Sequence, residues 1–241
     1  MPELEAVLES QPEHVTGRFL FALLQEASGE TAAAVSGYSR VLELDPAHAG
    51  AHFYLANQYY RQGRYAAAAP HYAQAVAADA HNVPARLLQL AALQHIPVTD
   101  AELRSQLEAA VQQVPEQPVL NVWLIRLLCT SSEPDAQDPA GALQLAKRLA
   151  GGQAFPPYRE LLALAYAATG DFDQAADTQE ALLTLAVWTM PGEADRLLKS
   201  LSAYREHRLP SGDELPGLPP VQAPPLDVTA VFRDYPTARP Y

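Results

Sequence analysis

The chain has 241 residues, of which 49% are apolar and 18% charged, which is enough for a sizeable core. Asp and Glu number 28 against 16 for Lys and Arg, and the net charge of −12 disfavours nucleic acid as a partner. The single cysteine excludes an internal disulfide, and the sequence has neither a long uncharged apolar run nor a signal-like start. We therefore expect a cytoplasmic protein without a membrane span, or a periplasmic one if an upstream signal peptide was removed.

The first recognisable unit is a pair of helices over residues 15–48. Phe21 and Ala22 form a large–small apolar pair in its first helix, Gly29 marks a turn, and Tyr38 lies in its second helix. Pro46 closes the pair, since proline cannot continue a helix.

The same pattern is repeated, with the best match, over residues 49–82. Leu55 and Ala56 form the large–small pair, Gly63 marks the turn, and Tyr72 lies in the second helix. The step between the two units is 34 residues. One such pair cannot bury its apolar face alone, so neighbouring pairs must stack on it.

The chain continues with weaker copies of this pattern. Thr99 or Asp100 is a candidate N-cap within the first of these. An amphipathic last helix would cover the open end of the stack. The predicted ranges are 83–117, 118–150 and 156–189 for the pairs and 193–207 for the last helix, so that residues 1–208 form the repeat domain.

Residues 209–241 differ in composition from the rest of the chain. Prolines recur throughout this segment, which predicts an extended tail with polyproline II character. Apolar residues such as Leu218, Leu226 and Phe232 are unusual for a fully solvated tail. We therefore expect part of the tail to dock on the repeats, and its occupation of a binding groove is one possible form of regulation.

The residues quoted for 15–48 and 49–82 resemble tetratricopeptide repeats. This resemblance implies an all-α fold: a right-handed superhelix of about five helix-turn-helix repeats with a capping helix. It also implies a concave groove that binds a peptide, and hence a non-catalytic scaffold or adaptor of bacterial type. Of the basic clamp by which co-chaperone members of the family hold acidic C-termini, only Asn57 has a counterpart here, so that role is not expected.

First-helix positions opposite the packing positions are expected to line the groove. Aromatic and apolar side chains there would form pockets, and an amide could pair with a peptide backbone. The alternative is that these side chains pack on neighbouring helices or on the tail. The predicted peptide-binding residues are Phe19, Leu23, Phe53, Asn57, Tyr60, Arg61, Leu88 and Leu164.

No catalytic or cofactor-binding motif is recognisable, so no cofactor or metal is expected. The competing hypotheses are an accessory domain serving a partner enzyme or a biosynthetic or secretion complex, and a metal enzyme using the histidines around residues 48–81. Cys129 lies in an apolar helix and is expected to be a buried, inert thiol.

Overall fold

The computed structural model describes residues 2–152, 155–189 and 191–227. Within these ranges the protein is all-α, with no strand and three single 3-10 turns. The helices are α1 (Pro2–Ser10), α2 (Val15–Ala27), α3 (Thr31–Leu44), α4 (Ala49–Arg61), α5 (Tyr65–Ala78), α6 (Val83–Leu93), α7 (Asp100–Gln113), α8 (Pro118–Thr130), α9 (Pro139–Gly152), α10 (Pro156–Ala168), α11 (Phe172–Thr189) and α12 (Ala194–Arg205).

The chain forms two compact units. The first unit comprises the described residues up to Pro97 together with 221–227, and the second comprises Val98–Pro220. In the first unit each helix packs on the next in sequence, from α1 to α6. This is the arrangement that stacked helix-turn-helix pairs produce.

Helices α2, α4 and α6 of the first unit each begin beside a side chain that accepts a backbone hydrogen bond. The imidazole Nδ1 of His48 accepts from the amide of Ala51 at the start of α4, at 3.1 Å. Asn82 does the same for α6, accepting from Ala85 at 3.0 Å. Such caps satisfy donors that the first helical turn leaves free.

At two positions of the first unit the structure requires glycine. Gly63 ends the α4–α5 turn with φ of 71°, a left-handed conformation that residues with a Cβ adopt at a cost. Gly50 lies against α2, where an added Cβ would be 2.8 Å from Cζ of Phe19. The absence of a side chain at Gly50 therefore lets α4 approach α2 closely.

The core of the first unit consists of two apolar clusters joined along α4. One lies between α2, α3 and α4 and the other between α4, α5 and α6. The fully buried tyrosines Tyr38 and Tyr72 anchor one cluster each, on α3 and α5. Because small alanines surround them, the helices of each pair can pack closely.

The second unit is also built of consecutive helices in contact. α7 packs on α8, α8 on α9 and α10, α10 on α11, and α11 on α12. Thr99 caps α7 by accepting from the amide of Glu102, as one of the two predicted candidates would. The 3-10 turn Gly212–Glu214 packs against α12, followed by residues without regular structure.

The short helix α1 has no counterpart among the predicted elements. α6 begins at Val83, and Pro84 lies in its first turn, where proline is well tolerated. The division of the chain into a repeat domain and a tail at residue 208 stays a prediction.

Candidate functional site

Three of the predicted peptide-binding residues lie together on α4. Phe53 and Tyr60 are half-buried, and Arg61 is exposed. The ring of Phe53 contacts Tyr72 edge-on, with centroids 6.1 Å apart, and Tyr60 contacts Tyr65 edge-on at 5.0 Å. Burial raises the pKa of Tyr60, so its hydroxyl stays protonated and can donate.

Asn57, on the same helix, lies in the interior. It is 1% exposed, and its Oδ1 accepts a hydrogen bond of 2.8 Å from the hydroxyl of Tyr72. Tyr72 is fully buried, and burial raises its pKa. This bond satisfies a phenol that would otherwise be buried without a partner, which is costly.

The remaining predicted residues are also buried. Phe19 and Leu23 belong to the α2–α3–α4 cluster and Leu88 to the α4–α5–α6 cluster, each no more than 3% exposed. Leu164 is fully buried on α10 of the second unit. These four side chains support the helices and are covered by them.

A further side chain, Glu26 of α2, lies beside Arg61 and is only 7% exposed. Its carboxylate pairs with the guanidinium of Arg61 at 2.5 Å and accepts a 2.6 Å hydrogen bond from Tyr38. Burial, followed by the bond to Glu26, raises the pKa of Tyr38. The pair fixes Arg61 in one orientation, with its Nη1 available for a second acceptor. We call the group Phe53, Tyr60, Arg61 and Glu26 the α4 surface.

The chain's own residues 221–227 lie on the α4 surface. The hydroxyl of Tyr60 donates to the carbonyl of Val221 at 2.9 Å, and Nη1 of Arg61 donates to the carbonyl of Pro224 at 3.0 Å. Val221 and Ala223 pack against the α4–α5–α6 cluster, and Leu226 packs against the α2–α3–α4 cluster. We call residues 221–227 the C-terminal segment.

The second unit contains a cavity of about 540 Å³ with mostly apolar walls. Pro216–Pro220 form one wall, and the carbonyl of Pro216 accepts from Arg126 at 2.5 Å. At its edge Glu160 is bound by both Nη atoms of Arg196. Burial raises the pKa of Glu160 and the contact with Arg196 lowers it, with burial the larger effect.

The histidines of the first unit form pairs and caps. Nδ1 of His52 lies 2.9 Å from Nδ1 of His71, while Nε2 of His52 lies 2.9 Å from the carbonyl of Pro46. Burial, followed by the charge of His52, lowers the pKa of His71. Among the described residues, no group of three or more His, Cys, Asp and Glu side chains could hold a metal ion.

Cys129 is buried in the second unit, and burial raises its pKa to about 12. The thiol is therefore protonated at neutral pH and is a poor nucleophile. In the part of the chain that the structure describes, no helix is long and apolar enough to cross a membrane.

Comparison with known proteins places the fold. A family model described as tetratricopeptide repeat matches residues 19–83. The solved structure of YrrB, described as a TPR protein with an unusual peptide-binding site, superposes with a TM-score of 0.62 at 17% identity, covering 78% of this chain and 94% of that one. MamA gives 0.59 at 18% identity, covering 73% and 93%. PilF of Pseudomonas aeruginosa gives 0.52 at 18% identity, covering 81% and 86%.

No curated protein shows significant sequence similarity to the chain. The family model nevertheless covers the helices that carry the α4 surface. Residues 19–83 are therefore similar to tetratricopeptide repeats, and the described helices share the fold of solved tetratricopeptide-repeat structures.

Sequence reasoning missed the part played by Tyr38, whose hydroxyl donates to Glu26 of the α4 surface, because no sequence pattern links these two residues. Docking of the tail was expected, but not the stretch of it that lies on this surface. The apolar character of Leu226 gave a signal that the tail was not simply solvated, but it gave no register.

Proposed function

We propose that the protein is a non-catalytic adaptor that holds an extended segment of another protein on the α4 surface. The observation that carries the proposal is the pair of donors on α4. Tyr60 and Arg61 both donate to main-chain carbonyls of the C-terminal segment. Apolar contacts on either side of these bonds complete a surface that binds a peptide by its backbone and by two side-chain pockets.

The C-terminal segment occupies this surface in the absence of a partner, under this proposal. It is tethered at Pro220, so its effective concentration at the α4 surface is on the order of millimolar. A partner must displace it, and its apparent affinity is reduced accordingly. The segment is then a competitor that keeps the surface covered until a tighter-binding protein arrives.

The test is selection of peptides from a displayed random library against two full-length proteins. One is the double variant V221S/L226S, which weakens the C-terminal segment. The other adds Tyr60→Phe and Arg61→Met, which remove both donors. We expect enriched peptides with the first protein and their loss with the second, at unchanged helicity by circular dichroism.

A matched control is Gln222→Ala, because Gln222 is an exposed residue of the same segment. This variant is expected to enrich no more peptides than the unmodified chain. The proposal is wrong if the peptides selected by V221S/L226S bind equally well after both donors are removed.

A further inference from the structure

The contacts of the C-terminal segment show what the α4 surface recognises. Both hydrogen bonds given by α4 go to carbonyl oxygens, those of Val221 and Pro224. Proline keeps its carbonyl but lacks an N–H. A surface that recognises a strand through its carbonyls therefore accepts proline at positions where a β-ladder would not.

The side chains of the segment divide into contacting and exposed sets. Val221, Ala223 and Leu226 are half-buried against the apolar clusters, whereas Gln222 and Pro224 point to solvent. Positions 221–226 thus follow the order apolar, variable, small, proline, proline, apolar. Only the first, third and last of these place a side chain against the clusters.

The backbone of the segment is irregular, and its two prolines favour an extended polyproline conformation. Residues 221–227 contain no helix or turn, and Pro224-Pro225 fix φ near −65°. A preformed strand of this type loses little conformational entropy when it binds. The two prolines therefore favour binding although neither inserts its ring into a cluster.

We infer that the natural partner of the α4 surface is a proline-containing extended segment of another protein, with branched apolar, small and leucine-like residues at positions one, three and six and prolines at four and five. This rests on the proposed function and adds the chemical class of the partner. Recognition is through the partner's carbonyls at the first and fourth positions.

The charge of the α4 surface also favours a neutral, proline-containing partner. Arg61 is already neutralised by Glu26, so the α4 surface presents no free positive charge from this pair to an acidic peptide. Its guanidinium instead offers one oriented donor to a neutral carbonyl. Neutral, proline-rich segments suit this arrangement better than acidic ones do.

The probe is a synthetic nine-residue peptide of sequence PPVQAPPLD, residues 219–227 of the chain, with blocked ends. Its binding is measured by fluorescence anisotropy against full-length V221S/L226S, in which the internal competitor is weakened. Replacing the peptide's leucine by serine removes a half-buried side chain and should weaken binding about fivefold. Replacing both prolines by alanine should weaken it roughly five- to tenfold.

The contribution of the α4 surface is tested by removing the Tyr60 hydroxyl. Tyr60→Phe should weaken every peptide of the series by a similar factor of about five, because the hydroxyl contacts backbone and not side chain. Tyr65→Phe, which removes a neighbouring hydroxyl, is the matched control and should leave binding unchanged. Alanine in place of the peptide's glutamine should also have no effect.

The outcomes separate this inference from the proposed function. If library peptides bind the α4 surface but proline and leucine substitutions in the probe change nothing, the partner class is wrong and the adaptor function stands. If neither library peptides nor the probe bind the folded variant, both are wrong. If the unmodified chain forms dimers that V221S/L226S abolishes, the segment's natural site is on a second copy, and the inference of a different protein is overturned.

Discussion

The bond between Asn57 and Tyr72 tests whether Asn57 acts in the core or in binding. Both residues are at most 1% exposed, and their side chains meet at 2.8 Å. Asn57→Ala leaves the Tyr72 hydroxyl buried without this acceptor, which costs about 1–3 kcal/mol of unfolding free energy. Tyr72→Phe should cost about 1 kcal/mol, since it leaves only the amide oxygen unpaired.

A double-mutant cycle measures the interaction free energy between Asn57 and Tyr72. Because the second substitution finds the bond already lost, N57A/Y72F should be about 1 kcal/mol more stable than the sum of the single effects predicts. The more conservative pair N57L/Y72F replaces both polar groups by apolar ones and should be closer to neutral.

The assay must report on the first unit alone, since the two units can unfold separately. Both tryptophans, Trp123 and Trp188, lie within Val98–Pro220, so their fluorescence reports on the second unit. Hydrogen exchange of peptides from α4 and α5, measured by mass spectrometry, gives the opening free energy of the first unit. The tryptophan transition in urea is the internal control and should not move.

If the losses of unfolding free energy in Asn57→Ala and Tyr72→Phe add up to the loss in the double variant, the two side chains do not interact as described. An interior role for Asn57 is also refuted if Asn57→Ala leaves α4 and α5 fully protected but abolishes binding of the PPVQAPPLD peptide to V221S/L226S. In that case Asn57 would act as the peptide-pairing amide that the sequence suggested.

Further substitutions and conditions give distinct outcomes. Gly50→Ala should destabilise the first unit by about 1–3 kcal/mol, because the added Cβ would lie 2.8 Å from the Phe19 ring. The control Gly151→Ala has open space around it and should not destabilise the protein. Hydrogen exchange measures both effects. His48 accepts the cap bond of α4 only when neutral, and burial lowers its pKa below 6.5. Below about pH 6.5 the unfolded chain therefore binds more protons than the folded one, and the first unit should lose stability as the pH falls. Urea titrations at several pH values would show this. With a pKa of about 12, Cys129 should resist iodoacetamide at pH 8 in the folded protein and react in urea; equal rates would contradict its burial. Leu226→Ser should raise the affinity of the full-length protein for the PPVQAPPLD peptide about fivefold, because it weakens the internal competitor, and unchanged affinity would show that the Leu226 contacts contribute little.

The sequence was sufficient for the class of fold. Alternating large and small residues, the turn glycine Gly63 and Pro46 after the first pair of helices reflect local geometry and tight helix pairing, which a repeat period makes visible. Thr99 was recoverable as a cap for the same reason, since the capping bond is made to a residue three positions on.

The exposed surface was harder to deduce. Asn57 and Tyr60 lie three residues apart on one helix, so periodicity places them on one face, yet one bonds inward to Tyr72 and the other outward to Val221. Which of the two occurs depends on α5 and on the C-terminal segment, and neither contact is encoded in the local pattern. Phe19 was misleading for a similar reason, since its ring fills the space that Gly50 leaves open.

The first unit takes its residues from both parts of the chain, up to Pro97 and again from Val221. During synthesis, α4 is complete while about 160 residues remain to be added before the C-terminal segment is reached, which takes on the order of 10 s at bacterial rates. Throughout that interval Tyr60 and Arg61 lack their later partners Val221 and Pro224. A partner that binds on the ribosome therefore meets no competition from the chain itself, whereas one that arrives afterwards does.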